Sequence, residues 1–116
     1  MQIIRIYADD AGESHFADLD FPLHDQGEIG RLSELIPATG VIIRETPPTY
    51  DFDWHTAPRR QIVVLLTGSI AIEASDGEIR QMHAGDLLFA EDTTGRGHRT
   101  RTLGGVTRTS LFITLD

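Results

Sequence analysis

The sequence predicts an all-β fold, and three observations carry that reading. Short apolar runs recur at regular intervals from Gly40 to the end, glycine-bearing turns separate them, and helical periodicity is absent beyond Gly40. One run, Ile62 to Leu66, is apolar at every position, as in a strand covered on both faces.

The elements follow in order. Gln2 to Tyr7 is a β-rich run ended by the turn residues Asp9-Asp10-Ala11-Gly12, and Phe16, Leu19 and Phe21 mark a second extended segment closed by Pro22. His15 and His24 flank that segment among acids and read as solvated imidazoles. Ile29, Leu32 and Leu35-Ile36 recur at helical spacing, so a short helical turn is expected between Gly27 and Ile36, stopped by Pro37. Val41 to Arg44 reads as a strand broken by Pro47-Pro48. Tyr50 to His55 then alternates: Tyr50, Phe52 and Trp54 fall on one face, and Asp51, Asp53 and His55 on the other. In a barrel wall the polar face would look into the lumen; in an ordinary half-buried strand it would meet water. After Ile62 to Leu66 come Ile70 to Ala74, an Asp76-Gly77 hairpin of expected type I′, Glu78 to Met82, Leu87 to Ala90, His98 to Leu103, and a Gly104-Gly105 hairpin into Val106 to Leu115. His83 reads as an outer-surface turn residue, and Gly95-Arg96-Gly97 as a tight turn. One domain over residues 1–116 is expected, with N-terminal strands and the helical turn in 1–39 and a barrel core from about 40 to 116.

Composition narrows the function classes. There is no cysteine, which excludes disulfides, thiolate metal sites and cysteine nucleophiles. All ten basic residues are arginines, so Schiff-base chemistry and lysine-anchored pyridoxal phosphate drop out. A net charge of -8 opposes a phosphate backbone, and nucleic acid is not an expected partner. No run approaches the length of a membrane span and Met1-Gln2-Ile3-Ile4-Arg5 lacks a secretory layout, so no membrane partner and a cytoplasmic location are expected. Arg59, Arg60, Arg80, Arg96, Arg99 and Arg101 lie between Trp54 and Arg101, which predicts a local positive field.

The stretch from about Thr49 to Thr102 resembles the cupin family. His55, Gln61 and Gly68 stand at the spacing of the family's first motif, in its first-histidine, glutamate and glycine positions, with Ala57 in the second-histidine position. Gly85-Asp86 and His98 match the start and end of the second motif. Glu91 stands where proline is usual, the turn is about two residues longer, and Thr102 replaces a common asparagine.

The resemblance implies a double-stranded β-helix, or jelly-roll barrel, with a small-molecule site in its lumen. It also implies His55, Gln61 and His98 as the residues facing a divalent transition metal: zinc, nickel, iron or copper. The set is incomplete, since a carboxamide replaces a carboxylate and a methyl replaces an imidazole. Asp53, two residues before His55, is a candidate substitute. The alternative is a metal-free lumen in which His55, Gln61 and His98 hydrogen-bond to one another or to ordered water. No nucleotide or haem is expected.

For the ligand, Arg59 shares the parity of His55 and Gln61 and suits a carboxylate or phosphate, although an exposed Arg59-Arg60 pair in salt bridges is the competing reading. Asp53, Trp54 and Thr100 complete the expected binding residues, and no residue is assigned a catalytic role. Two functions are carried forward. One is a cupin that binds a small anionic or carbonyl-bearing metabolite, with a weakly held metal for oxygenase- or isomerase-type chemistry. The other is a metal-free binding or sensing module acting as a dimer. A homodimer is expected because the Tyr50, Phe52 and Trp54 stripe is too large to leave bare.

Overall fold

The computed structural model describes residues 1–116 and is all-β, with a single 3-10 turn at Gly27–Ile29. In chain order the strands are β1 (Ile3–Ala8), β2 (Ser14–Asp18), β3 (His24–Asp25), β4 (Arg31–Leu32), β5 (Gly40–Thr46), β6 (Asp51–His55), β7 (Gln61–Leu65), β8 (Ser69–Ala74), β9 (Ile79–His83), β10 (Leu87–Glu91), β11 (His98–Leu103) and β12 (Arg108–Thr114). A six-stranded sheet runs β2-β1-β10-β7-β12-β5 and a four-stranded sheet runs β6-β11-β8-β9, with β3 and β4 forming a separate ribbon. Only β1 and β10 pair in parallel; the other ladders are antiparallel. No helix is long and apolar enough to cross a membrane.

The main core lies between the two large sheets. Val63 and Leu65 of β7 join Ile4, Ile6, Ile70, Ile72, Met82 and Leu88 in one buried cluster, each large aliphatic side chain contributing about 1.5 to 3 kcal/mol by its removal from water. The alternate residues of the central strands are also covered. Ile62, Phe89 and Leu115 are buried on the outer face under Leu19 and Phe21, the latter stacked on Phe89 with centroids 5.2 Å apart. The apolar run therefore has the two covered faces its sequence predicts from Ile62 to Leu65, whereas Leu66 lies beyond β7 and is exposed.

Three expectations are corrected. The helical turn between Gly27 and Ile36 reduces to the 3-10 turn, because Gly27 (φ 72°) and Gly30 (φ 97°) take left-handed conformations on either side of it. The Asp76-Gly77 hairpin forms, but not as type I′. Only Gly77 has positive φ, the Gly77 amide donates to the Ala74 carbonyl at 3.0 Å, and Asp76 Oδ1 accepts from the Glu78 amide at 2.9 Å. Finally, the backbone ladders do not close into a barrel: β2, β5, β6 and β9 keep free edges. Pro47 and Pro48, between β5 and β6, have no N–H with which to continue a ladder. Side chains bridge the sheets elsewhere, with Ser14 Oγ accepting from the Ser75 amide and donating to the Gly97 carbonyl, both at 2.7 Å.

Candidate functional site

At one end of the space between the sheets the core opens into a cavity of about 380 Å³. Its walls come from β5, β6, β7, β8, β10, β11 and β12, and its lining includes Arg44, Arg59 and Arg108, His55 and His98, but no carboxylate.

The histidine end is built by a β-bulge. His55 pairs with His98 and Phe52 with Thr100, so Asp53 and Trp54 together face the single residue Arg99. One extra residue reverses side-chain parity between Phe52 and His55, and both point inward. The His55 and His98 ring centroids are 4.5 Å apart, and Phe52 meets His55 edge-on at 4.4 Å. Each imidazole is anchored through Nδ1. His98 Nδ1 donates to Oδ2 of the fully buried Asp92 at 2.5 Å, and His55 Nδ1 donates to the Asp53 carbonyl at 2.8 Å. With Nδ1 of each ring engaged, Nε2 is the open nitrogen of each. Burial holds the His55 pKa below the ordinary histidine value. The Asp53 carbonyl and the Asp92 carboxyl oppose that shift, and His98 and Arg44 add to it. His55 therefore presents a neutral lone pair. His98 Nε2 faces the cavity beside it, with the ring fixed by Asp92.

Gly97 makes this corner possible. At φ 75° it lies against the His55 backbone so closely that a Cβ would stand 2.1 Å from the His55 carbonyl oxygen.

The opposite end is cationic. Arg108 opens β12 and is 5% exposed, with Nη1 donating to Thr102 Oγ1 at 3.0 Å and its Cζ 4.9 Å from the Tyr50 ring centroid. Arg44 of β5 lies over the same ring at 5.2 Å and over Phe112 at 5.4 Å. Burial presses the Arg108 pKa below the usual arginine value, Tyr50 offsets that, and the like charge of Arg44 reinforces it. Neither arginine meets a carboxylate, and nor does Arg59. Outside the cavity Arg5, Arg60, Arg80, Arg96 and Arg99 are each ion-paired, and Arg31 and Arg101, which are not, are exposed to water.

The sequence-predicted residues divide. His55, Gln61, His98, Arg59 and Thr100 line the cavity together. Asp53 and Trp54 do not: the bulge turns Trp54 outward beneath the Arg99 guanidinium at 5.4 Å, and Asp53 offers the site only its backbone carbonyl. The expected Tyr50, Phe52 and Trp54 face is split, because Tyr50 and Phe52 line the cavity. Arg59 and Arg60 part as well; Arg60 bridges Glu91 and Asp116 at 2.8 and 2.7 Å while Arg59 stays at the cavity. The expected His55-Gln61-His98 hydrogen-bond network does not form, since each imidazole has its partner elsewhere and Gln61 Oε1, although buried, has none within the protein. Sequence reading missed Arg44, Arg108, Tyr50 and Asp92. Arg108 alternates with Ser110 and Phe112, and Arg44 with Ile42 and Thr46, a shared parity that was the available signal for two inward arginines.

No family model matches the chain, and no curated protein does. Among solved structures, the crystal structure of protein NMB1881 from Neisseria meningitidis is 20% identical, covers 72% of this chain and 81% of its own, and superposes with a TM-score of 0.52. The two share a fold at that level of identity.

Proposed function

We propose that this protein is a small cupin-type binding protein that takes a small anionic metabolite into the cavity between its sheets and needs no resident metal. One observation carries the reading: every arginine that lines the cavity lacks a carboxylate partner, in a chain with 18 acidic residues available to supply one. Arg108 is buried, Arg44 half-buried and Arg59 exposed, so the cost of a cation without its counter-charge falls mainly on Arg108, and an anionic ligand supplies the missing half. The cupin assignment rests on the spacing of His55, Gln61, Gly68, Gly85-Asp86 and His98, together with two facing sheets around a lumen-like cavity.

The donor set does not fit a divalent metal. No three histidine, aspartate or glutamate side chains come together, and the carboxylate beside the imidazoles, Asp92, is engaged by His98 Nδ1 and does not line the cavity. Three arginines share the space, so the local field favours an anion over a cation. Elemental analysis of untagged protein is expected to find no stoichiometric transition metal. Thermal denaturation with small carboxylates is expected to show a stabilisation that survives a chelator, about 2.7 kcal/mol at a hundredfold excess over Kd. A stabilisation that chelation abolishes would overturn the metal-free reading.

The protein is proposed to act as a homodimer through a surface other than the aromatic stripe. The free edge of β5 carries Val41 and Ile43, 61% and 80% exposed, which a second copy would cover. Light scattering is expected to report a dimer that Ile43→Glu dissociates.

A further inference from the structure

The anion reading above leaves the rest of the ligand undescribed, and the shape of the cavity describes it. Its two polar ends sit at the two ends of one strand. His98 opens β11, and Thr102, four residues further on, holds the Arg108 guanidinium through its Oγ1 at 3.0 Å. Four strand residues span about 13 Å. Between the ends runs a wall of rings: Tyr50 beneath both arginines, Phe52 stacked on Tyr50 at 5.8 Å and 9°, then His55 against Phe52 at 4.4 Å. Val63, Ile72, Leu88 and Phe112 complete the apolar middle.

We infer that the ligand is an elongated monocarboxylate with an apolar body and a second polar group at its far end. The carboxylate takes the Arg44 and Arg108 end, and the far group meets the open Nε2 atoms of His55 and His98 and the unpartnered Oε1 of Gln61. The inference rests on the anion reading and adds a length. Hydrogen-bond stand-off of about 3 Å at each end leaves roughly 7 Å for the body, the span of a six-carbon chain or a para-disubstituted benzene ring. Gln61 Oε1 and a neutral His55 accept hydrogen bonds, so the far group is a donor such as a hydroxyl. Arg59, the remaining cation of the lining, is exposed, so the buried cation that calls for a carboxylate is Arg108.

The test is calorimetric titration of the full chain with 3-hydroxypropanoate, hexanoate, 6-hydroxyhexanoate and 12-hydroxydodecanoate. 6-Hydroxyhexanoate is expected to bind about ten-fold or more tightly than each of the others, because it alone satisfies both ends without overrunning the cavity. Gln61→Leu and His55→Phe, made separately, are expected to narrow its advantage over hexanoate to under about two-fold, and Arg108→Met to weaken hexanoate and 6-hydroxyhexanoate alike by about ten-fold or more. Arg44→Met gives the same readout should Arg108→Met fail to fold. Carboxylates that bind with no preference for length or far-end hydroxyl would overturn this inference and leave the anion reading standing. A chain that binds none of the four, with or without added divalent metal, would overturn both.

Discussion

The two ends of the cavity differ in what they have finished. At the histidine end, each imidazole is already held by an acceptor from its own chain, Asp92 for His98 and the Asp53 carbonyl for His55. At the arginine end, Arg44 and Arg108 sit over a tyrosine ring with no opposite charge. The first end has its imidazoles oriented without a ligand, while Gln61 Oε1 and Asp92 Oδ1 there stay buried without partners. The second spends stability on a buried cation, which is characteristic of a group kept for binding. Both ends lean on a glycine. Gly97 backs His55, and at the other end a Cβ on Gly68 (φ 84°) would stand 2.8 Å from the Arg108 Cβ.

The largest effect is expected at the glycines, and it should be unequal. Gly97→Ala pushes a methyl into the rigid His55 backbone, so a loss above about 3 kcal/mol or failure to fold is expected in chemical denaturation. Gly68→Ala, pressing on a side chain, should lose about 1 to 3 kcal/mol. Next come the polar partners. Asp92→Leu strands the buried Nδ1–H of His98 and should destabilise by about 1 to 3 kcal/mol, whereas Arg108→Met removes a desolvated charge and should leave the free protein unchanged or about 1 kcal/mol more stable. A cost above about 2 kcal/mol for Arg108→Met would mean that both ends are structural and the contrast fails.

The smallest effect is in proton binding. His55 has a folded pKa below its unfolded value, so the stability it contributes is complete above about pH 6.5 and declines as pH falls below that. His15, on the surface between Asp9 and Asp76 at 2.7 and 3.0 Å, is raised by those carboxylates, and its contribution is present below about pH 6.5 and lost as pH rises through its folded pKa. Imidazole NMR titration should find the two resonances displaced in opposite directions, and a His55 that titrates with His15 would show that the cavity is wet.

The fold was readable where the signal was local. The apolar run of β7, the turn glycines and the strand alternation each depend on neighbouring residues, and each strand they predict is present. Facts that depend on pairing were not readable. The bulge at Asp53-Trp54 exists only against Arg99 on β11, and nothing within Tyr50 to His55 reveals that parity reverses. His55, Gln61 and His98 were found because motif spacing marks them. Arg44 and Arg108 were missed because an arginine on an isolated strand looks like any solvated cation; only the facing strands remove its carboxylates. Asp92 escapes a sequence reading because its partner, His98, is six positions away across a glycine turn.

The one parallel pairing in the molecule bears on how the chain reaches this state. β1 lies between β2 and β10, and the Gln2 amide bonds to Asp86 across 84 residues. Closing so long a loop is rewarded only once β7 and β10 are already side by side, so β1 docks late and folding is slow for a chain of this size. Until then Ile4 and Ile6, fully buried in the finished protein, are bare, and the flank of β10 is an open edge. The most vulnerable moment of this protein is therefore during its synthesis, when two sticky partners wait for each other from opposite ends of the chain.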